Sequence, residues 1–465
     1  MSAGRIIIVG GGATGVILAA HLLREDTAGL RVTIIERRAQ IGRGIAYDTD
    51  EPDHILNTRA GSMSAYADDP EHFWRWLQSN APSLPDAVCP DAFCFVRRGL
   101  FGLYLDALVT DWLPTQGDGR LEVLQGEVTS LKTSEFGVAV ELATGELHIG
   151  HAAVLATGHP VPAYGPQSPY ISPWQCSSDT IGTDDPVLIL GTGLSMVDSV
   201  FQLARQGHSG PITALSRRGL LPRPHQRTKP LKIDAADVPF GTELSYLTHW
   251  FRQTARWRIE HGADWRDVID GIRPHIQSIW QSLPLEARQR FLRHARSFWE
   301  VHRHRIPPES NARLSTMIAE GRLRILAGRL LATEPTAMGH RARIRHRDSR
   351  REEQLDIVRV IDCTGILRPQ ESCDDGLSAQ LIARGLARRD ALNIGLDVDD
   401  GCALIDPSGR SVPRLYAAGP VTRSRFWEIT AVPDIRVQAA MLAARLRTQL
   451  SGGNNRTAAQ NTTAG

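Results

Sequence analysis

Two glycine-rich turns carry the chemistry that is legible in this chain. The first is Gly10-x-Gly12-x-x-Gly15, with Ala13 and Thr14 before its last glycine and Glu36 standing 21 residues past Gly15. An apolar strand precedes the turn and an amphipathic helix follows, so each glycine has a task. Gly10 permits the tight turn, Gly12 lets a pyrophosphate approach the backbone, and Gly15 lets the helix pack on the strand. The helix N-terminus offers free N–H groups and a partial positive charge to phosphate oxygens. Glu36, at the end of the next strand, accepts hydrogen bonds from an adenosine ribose.

The second turn is Gly191-x-Gly193-Leu194-Ser195-Met196. Met196 stands where a third small residue is usual. That bears on the helix–strand spacing and leaves the phosphate-binding backbone of Gly191, Gly193, Leu194 and Ser195 intact. Ser216-Arg217-Arg218 follows the next strand, where the first copy has an acid. An acid there repels a ribose 2′-phosphate, whereas Arg pairs with it. One such contact is worth about 1.5–3 kcal/mol, or roughly 10- to 150-fold in affinity. The second site is therefore predicted to prefer NADPH to NADH. Two dinucleotide sites together suggest FAD plus NADPH, the pyridine nucleotide reducing the flavin.

Two similar units must position these turns. Strand Arg5–Val9, a helix to about Arg24 and strand Arg31–Glu36 make a βαβ start. Short alternating runs between 121 and 155 lead to Ala156-Thr157-Gly158. The second unit repeats the layout: a strand at Val187–Leu190, a helix to about Gln206, a strand at 211–215, and runs at 322–326, 341–346 and 357–361 that end in Cys363-Thr364-Gly365. The predicted class is α/β, with two Rossmann-like dinucleotide-binding domains of the two-dinucleotide flavoprotein type and a helical insertion. The FAD domain is placed at 1–185 and 362–450. The NADPH domain is placed at 186–238 and 309–361, the insertion at 239–308, and a disordered tail at 451–465. FAD is assigned to the first site because the chain returns there at Gly365 and again at Leu415-Tyr416-Ala417-Ala418-Gly419. In two-dinucleotide flavoproteins that last turn usually reads Gly-Asp. Here it reads Gly419-Pro420, so no ribitol carboxylate is assigned. A helix is also predicted at 68–77.

Composition excludes other classes. The chain has 465 residues, 22% of them charged, and a net charge of +2. That is ordinary globular material for two or three domains. Lys+Arg 53 nearly cancels Asp+Glu 51, which argues against a nucleic-acid binder. The apolar run 6–23 approaches a membrane span in length, but its glycines fit strand–turn–helix better. A soluble, cytoplasmic protein with no membrane partner is expected. Six scattered cysteines make no disulfide framework. Cys89-Pro-Asp-Ala-Phe-Cys94 has the spacing of a redox-active pair. In flavin disulfide reductases that pair lies soon after the ribose-binding acid; here it lies about 50 residues beyond Glu36, so no catalytic disulfide is expected. Gly193-Leu194-Ser195-Met196-Val197 lacks the last glycine of a nucleophile elbow. His302 and His304 lack the partners of a metal site.

Further residues carry a family resemblance. They are Ile41-Gly42-Arg43-Gly44-Ile45-Ala46-Tyr47, His54-Ile55-Leu56-Asn57, Ala60-Gly61-Ser62-Met63-Ser64-Ala65, Gly219-Leu220-Leu221-Pro222, Trp299-Glu300-Val301-His302-Arg303-His304-Arg305 and Phe426-Trp427-Glu428-Ile429-Thr430-Ala431-Val432-Pro433. With the 68–77 helix, they resemble the bacterial FAD/NAD(P)-binding group that contains FAD-dependent urate hydroxylases and aspartate N-monooxygenases. The marks span nearly the whole chain. The resemblance implies monooxygenation through a flavin C4a-hydroperoxide. It places Gly10, Gly12, Gly15 and Glu36 on the FAD adenosine and phosphates, Arg43 near the pyrophosphate, and Asn57, Met63 and Ser64 near the isoalloxazine. His159, after the Gly158 turn, is a candidate contact for NADPH.

The expected reaction consumes NADPH and O₂ and hydroxylates a small anionic substrate. The insertion is the expected lid, and Arg303 and Arg305 are the candidate anion contacts. Urate is slightly favoured, with an aspartate-like amino-acid N-monooxygenase as the alternative. A non-oxygenating flavin oxidoreductase or a redox-sensing binding protein is the reading from another class. No acid or base stands out, as expected if the flavin makes the bonds, and the sequence leaves the oligomeric state open.

Overall fold

The computed structural model describes residues 4–27, 29–159, 162, 164–176, 180–365 and 376–461. Its strands run in chain order from β1 (Arg5–Val9) and β2 (Arg31–Glu36) to β3 (Leu121–Gln125), β4 (Val128–Thr133), β5 (Val138–Leu142), β6 (Leu147–Gly150) and β7 (Ala152–Leu155). Then come β8 (Tyr170–Ile171), β9 (Val187–Leu190), β10 (Ile212–Ser216), β11 (Leu323–Thr336), β12 (Gly339–His346), β13 (Glu352–Ile357) and β14 (Arg359–Asp362). The last two are β15 (Ala403–Ile405) and β16 (Ser411–Ala417).

Two compact units result. One comprises Met1–Asp50, Arg59–Pro160 and Arg368–Gly465; the other comprises Glu51–Thr58 and Val161–Leu367. In the first unit the described strands form a sheet in the order β15-β16-β7-β1-β2-β3, parallel except at β15. β1 is Ile-rich and buried on both faces, as the centre of a parallel sheet requires. The helix Ala13–Leu23 is also buried almost all round, because the long helix Val432–Asn461 packs along it. β4, β5 and β6 form a separate antiparallel sheet in this unit.

The second unit repeats the plan in the order β13-β12-β11-β10-β9-β14-β8. β11, β10, β9 and β14 occupy the places of β3, β2, β1 and β7. β11 pairs parallel with β10 as far as Ala327 and antiparallel with β12 from Gly328, with a bulge between Leu330 and Ala332. Met196, at the third glycine's place, is fully buried among Val187, Ile189, Val200 and Ile361. The insertion is helical, with segments Leu244–Glu260, Trp265–Gly271, Ile276–Ser282, Leu285–Arg290 and Arg296–Arg303.

Several boundaries differ from those read in the sequence. Residues 161–185 join the second unit because β8 pairs with β14. Residues 51–58 also join it, where Asp53 pairs with Arg313. The predicted 68–77 helix is found at His72–Asn80. The expected disordered tail is helical as far as Asn461; residues 462–465 lie outside the described residues. Cys89 and Cys94, for which no disulfide framework and no catalytic disulfide were expected, are disulfide-bonded with their Cα atoms 5.5 Å apart. No helix among the described residues is long and apolar enough to cross a membrane.

Candidate functional site

The first glycine turn lies at the C-terminal ends of β1, β2, β7 and β16. The chain leaves β1 for β2 on one side and returns to β7 on the other, a switch point that opens a crevice for ligands. Gly10 has φ +106°, and a Cβ there would stand 2.5 Å from the Ala156 carbonyl oxygen. Gly15 is as tightly placed: a Cβ would meet the Gly10 carbonyl oxygen at 2.0 Å. Gly12 caps the Ala13–Leu23 helix with no side-chain hydrogen bond. The N–H groups of Ala13, Thr14 and Gly15 therefore have no intrahelical acceptor and suit a bound anion. Glu36 accepts the Gly11 N–H at 2.6 Å through Oε2 and the Arg38 N–H at 3.1 Å through Oε1. Each carboxylate oxygen keeps a lone pair for a ribose hydroxyl.

Arg43 and Gly44 stand against this turn. Gly42 donates to the Gly11 carbonyl at 2.7 Å, and a Cβ on Gly44 would lie 3.3 Å from the Gly12 Cα. Arg43 is steadied by Asp106, Nε to Oδ2 at 3.2 Å. Burial lifts the Asp106 carboxyl above its usual range while Arg43 pulls it down. On the other flank Gly419, at φ +72°, has no room for a side chain, since a Cβ would meet Thr14 Oγ1 at 2.4 Å. Buried Gln438 replaces the missing Asp as the organiser of this turn. It accepts the Gly419 N–H at 2.7 Å and donates to Thr422 Oγ1 at 3.0 Å.

Past the crossing at Gly158 (φ +73°) lies His159. Its Nδ1 is sealed from solvent with no hydrogen-bond partner among the described residues. Burial, joined by the charge of Arg423, pulls the imidazole down to about 3, so the ring is neutral near pH 7. Met63 and Ser64 are buried in the same unit, with the Ser64 carbonyl held by Arg436 at 3.1 Å. Asn57 lies in a different unit from these two. It belongs to the second unit, where its carbonyl oxygen lies 2.9 Å from His225 Nε2.

The second turn reproduces the first. Gly191 has φ +104°, and a Cβ would lie 2.2 Å from the Cys363 carbonyl oxygen, as Gly10 does toward Ala156. Gly193 caps the Leu194–Arg205 helix without a side-chain bond, so the Leu194 and Ser195 N–H groups are open to an anion. Gly365, at φ +84°, repeats Gly158. The charge at the ribose end is reversed. Burial and the charges of Arg296, Arg218 and Arg329 hold the Arg217 guanidinium below its ordinary pKa. A phosphate dianion would relieve that repulsion. Arg218 is partly committed: it stacks over Phe298 and donates to the His294 carbonyl at 3.0 Å.

The two candidate anion contacts differ in setting. Arg305 is only 3% exposed and is paired through Nη2 with Asp270, while its Nε and Nη1 have no hydrogen-bond partner among the described residues. Arg303 is half-buried. Asp106, Gln438, Asp270, Arg296 and Arg329 were not singled out from the sequence, because each reaches its partner through tertiary packing. No group of His, Cys, Asp or Glu among the described residues could hold a metal.

Both turns thus fit dinucleotides, through uncapped helix starts, glycines at close approaches and a ribose-end group of suitable charge. Residues 7–160 match a protein family described as FAD-NAD(P)-binding. Among curated proteins, no sequence matches the chain. Solved structures share the fold along its length. An ornithine N-hydroxylase from Kutzneria sp. 744, with reduced FAD, NADP⁺ and L-ornithine, is 16% identical with a TM-score of 0.66, covering 96% of this chain and 99% of that one. An L-lysine 6-monooxygenase from Pseudomonas syringae is 17% identical with a TM-score of 0.64, covering 96% and 99%. An FAD-bound cadaverine monooxygenase from Erwinia amylovora is 13% identical with a TM-score of 0.64, covering 96% and 94%. The chain has the two-dinucleotide-binding α/β fold that these flavin monooxygenases share.

Proposed function

We propose that the chain is an FAD- and NADPH-dependent monooxygenase that N-hydroxylates the amine of a small amino acid or a related amine. The observation that carries the reading is the duplicated dinucleotide turn with opposite charge at its two ribose ends. Glu36 marks the first and the Arg217 cluster the second. The similarity to ornithine, lysine and cadaverine oxygenases supports amine N-hydroxylation ahead of urate hydroxylation.

Bound FAD supplies acceptance of two electrons from NADPH and delivery of one oxygen atom of O₂ to the substrate. The chain's residues bind and orient. Glu36 takes the FAD ribose, and the Ala13, Thr14 and Gly15 N–H groups take its phosphates, with Arg43 adding charge. The Gly419 turn, fixed by Gln438, and the Met63–Ser64 segment border the isoalloxazine. Gly193, Leu194 and Ser195 hold the NADPH pyrophosphate and Arg217 its 2′-phosphate. His159 offers a neutral hydrogen-bonding nitrogen to bound nucleotide without adding charge. Arg303 and Arg305 are the contacts proposed for a substrate carboxylate.

The test is NADPH consumption by the yellow protein under isotopically labelled dioxygen, with ornithine, lysine, aspartate, urate or no substrate. One amine should stimulate consumption, give little peroxide and yield a hydroxylamine carrying one labelled oxygen. Stimulation by urate alone would move the enzyme to carbon hydroxylation. Substrate-independent peroxide formation would leave a flavin oxidoreductase and remove the oxygenase reading.

A further inference from the structure

The Cys89–Cys94 pair has no part in the proposed reaction, yet it is wired to the segment that borders the proposed flavin site. Its two ends are anchored differently. The Cys89 carbonyl accepts bonds from the side chains of Trp74 and Gln78, both on the His72–Asn80 helix. The Cys94 carbonyl accepts the Ala60 N–H at 2.9 Å, and the Ala92 carbonyl between them accepts the Gly61 N–H at 2.9 Å. Contact there is tight enough that a Cβ on Gly61 would stand 2.7 Å from the Ala92 Cβ. The bridge therefore closes a short loop with one end on a helix and the other on the Ala60–Ser62 turn, which leads directly into Met63 and Ser64.

We propose that Cys89 and Cys94 form a reversible thiol–disulfide site, a clip whose oxidation fixes the Ala60–Ser62 turn and whose reduction releases it. Cys89 is 2% exposed, whereas Cys94 is only half-buried, so the Cys94 end is the more open of the two to an attacking thiolate. The attack forms a mixed disulfide at Cys94 and expels the Cys89 sulfur as a thiolate, which takes a proton. The second thiolate of the same dithiol then attacks the mixed disulfide and leaves as a cyclic disulfide, and Cys94 takes the second proton. Two electrons pass from the dithiol to the protein. A disulfide of the same class runs the exchange backwards. The bridge has a sequence separation of 5, so it clips a backbone junction and not a long loop.

The physical effect follows from chain entropy. A closed loop holds the Cys94 and Ala92 carbonyls where the Ala60 and Gly61 N–H groups need them. Opening it leaves those two bonds to be kept by the loop's own packing. The link to FAD rests on the proposed function; the clip itself does not.

The experiment exposes the native, full-length protein to dithiothreitol, alkylates it, and follows hydrogen exchange at residues 59–66. Reduction should make two more cysteines alkylable, mapping to Cys89 and Cys94, and speed exchange of the Ala60 and Gly61 amides by about tenfold or more. FAD added to apoprotein should bind several-fold more weakly after reduction. The Cys89→Ser/Cys94→Ser double variant should show fast exchange and no response to dithiothreitol. A pair that resists dithiothreitol in the folded protein, or that reduces without altering exchange at Ala60 and Gly61, overturns the clip. Failure of FAD to bind in either state would instead remove the flavin reading and leave the exchange result to judge the clip.

Discussion

We propose that cofactor choice turns on Arg217. It is exposed, and partial desolvation and the charges of three other arginines disfavour its own. A 2′-phosphate supplies the missing anion, and a 2′-hydroxyl does not. Arg217→Ala should raise the KM for NADPH about 10- to 100-fold while kcat and the KM for NADH stay near wild type. Steady-state kinetics with both nucleotides check this, and equal losses for both would show that the arginine serves packing instead. Local rules made Arg217, Glu36 and the glycines legible, since turn, strand end and helix start lie within about 25 residues of one another. The partners of these residues were not legible. Arg329 reaches Arg217 only through the parallel pairing of β10 with β11, and Asp106 reaches Arg43 across 63 positions. Gln438 takes over from the absent Asp at Gly419 from 19 residues away, and no spacing rule names it.

The crossing element from Ala156 to His159 brings a half-buried imidazole with a sealed Nδ1 to the end of β7, and pH should read it. Folding lowers the His159 pKa from 6.5 to about 3. Between those values the unfolded chain binds more protons, so stability that is full above pH 6.5 is lost as pH falls toward 3. At pH 5 this one group should cost about 2 kcal/mol. His21, buried on the Ala13–Leu23 helix, and His72 are also lowered by burial and act in the same direction. Thermal unfolding at pH 7 and pH 5 should show the drop, and His159→Gln should remove part of it. An unchanged pH dependence in that variant would mean that the ring is solvated and free to ionise. Strands β1, β2, β9 and β10 were legible as elements, because β-branched runs bounded by glycine turns have few alternatives, whereas β8, β13 and β15 were not. The allegiance of 51–58 and 161–185 was not, because both segments are short and are claimed by tertiary partners such as Arg313 and β14.

At the scale of the molecule, each unit has its own sheet and its own dinucleotide turn. FAD at about 100 times its Kd should stabilise its site by about 2.7 kcal/mol. Hydrogen exchange should slow around β1, β2, β7 and β16 with FAD, and around β9, β10 and β14 with NADP⁺. The reverse pattern would exchange the two assignments. The repeat itself was legible from Ala156-Thr157-Gly158 and Cys363-Thr364-Gly365; the interleaving of the segments was not. That interleaving has a consequence during synthesis on the ribosome. β7 is made long before its neighbour β16, and the helix that covers Ala13–Leu23 emerges last. At ordinary elongation rates the wait is roughly 13–50 s. Through that time β7 presents an unpaired parallel edge beside an uncovered apolar helix, while the second unit has all its strands and can close first. The nascent first unit is therefore the part of the chain with most to gain from a chaperone, and slow codons placed after residue 367 would lengthen its exposure.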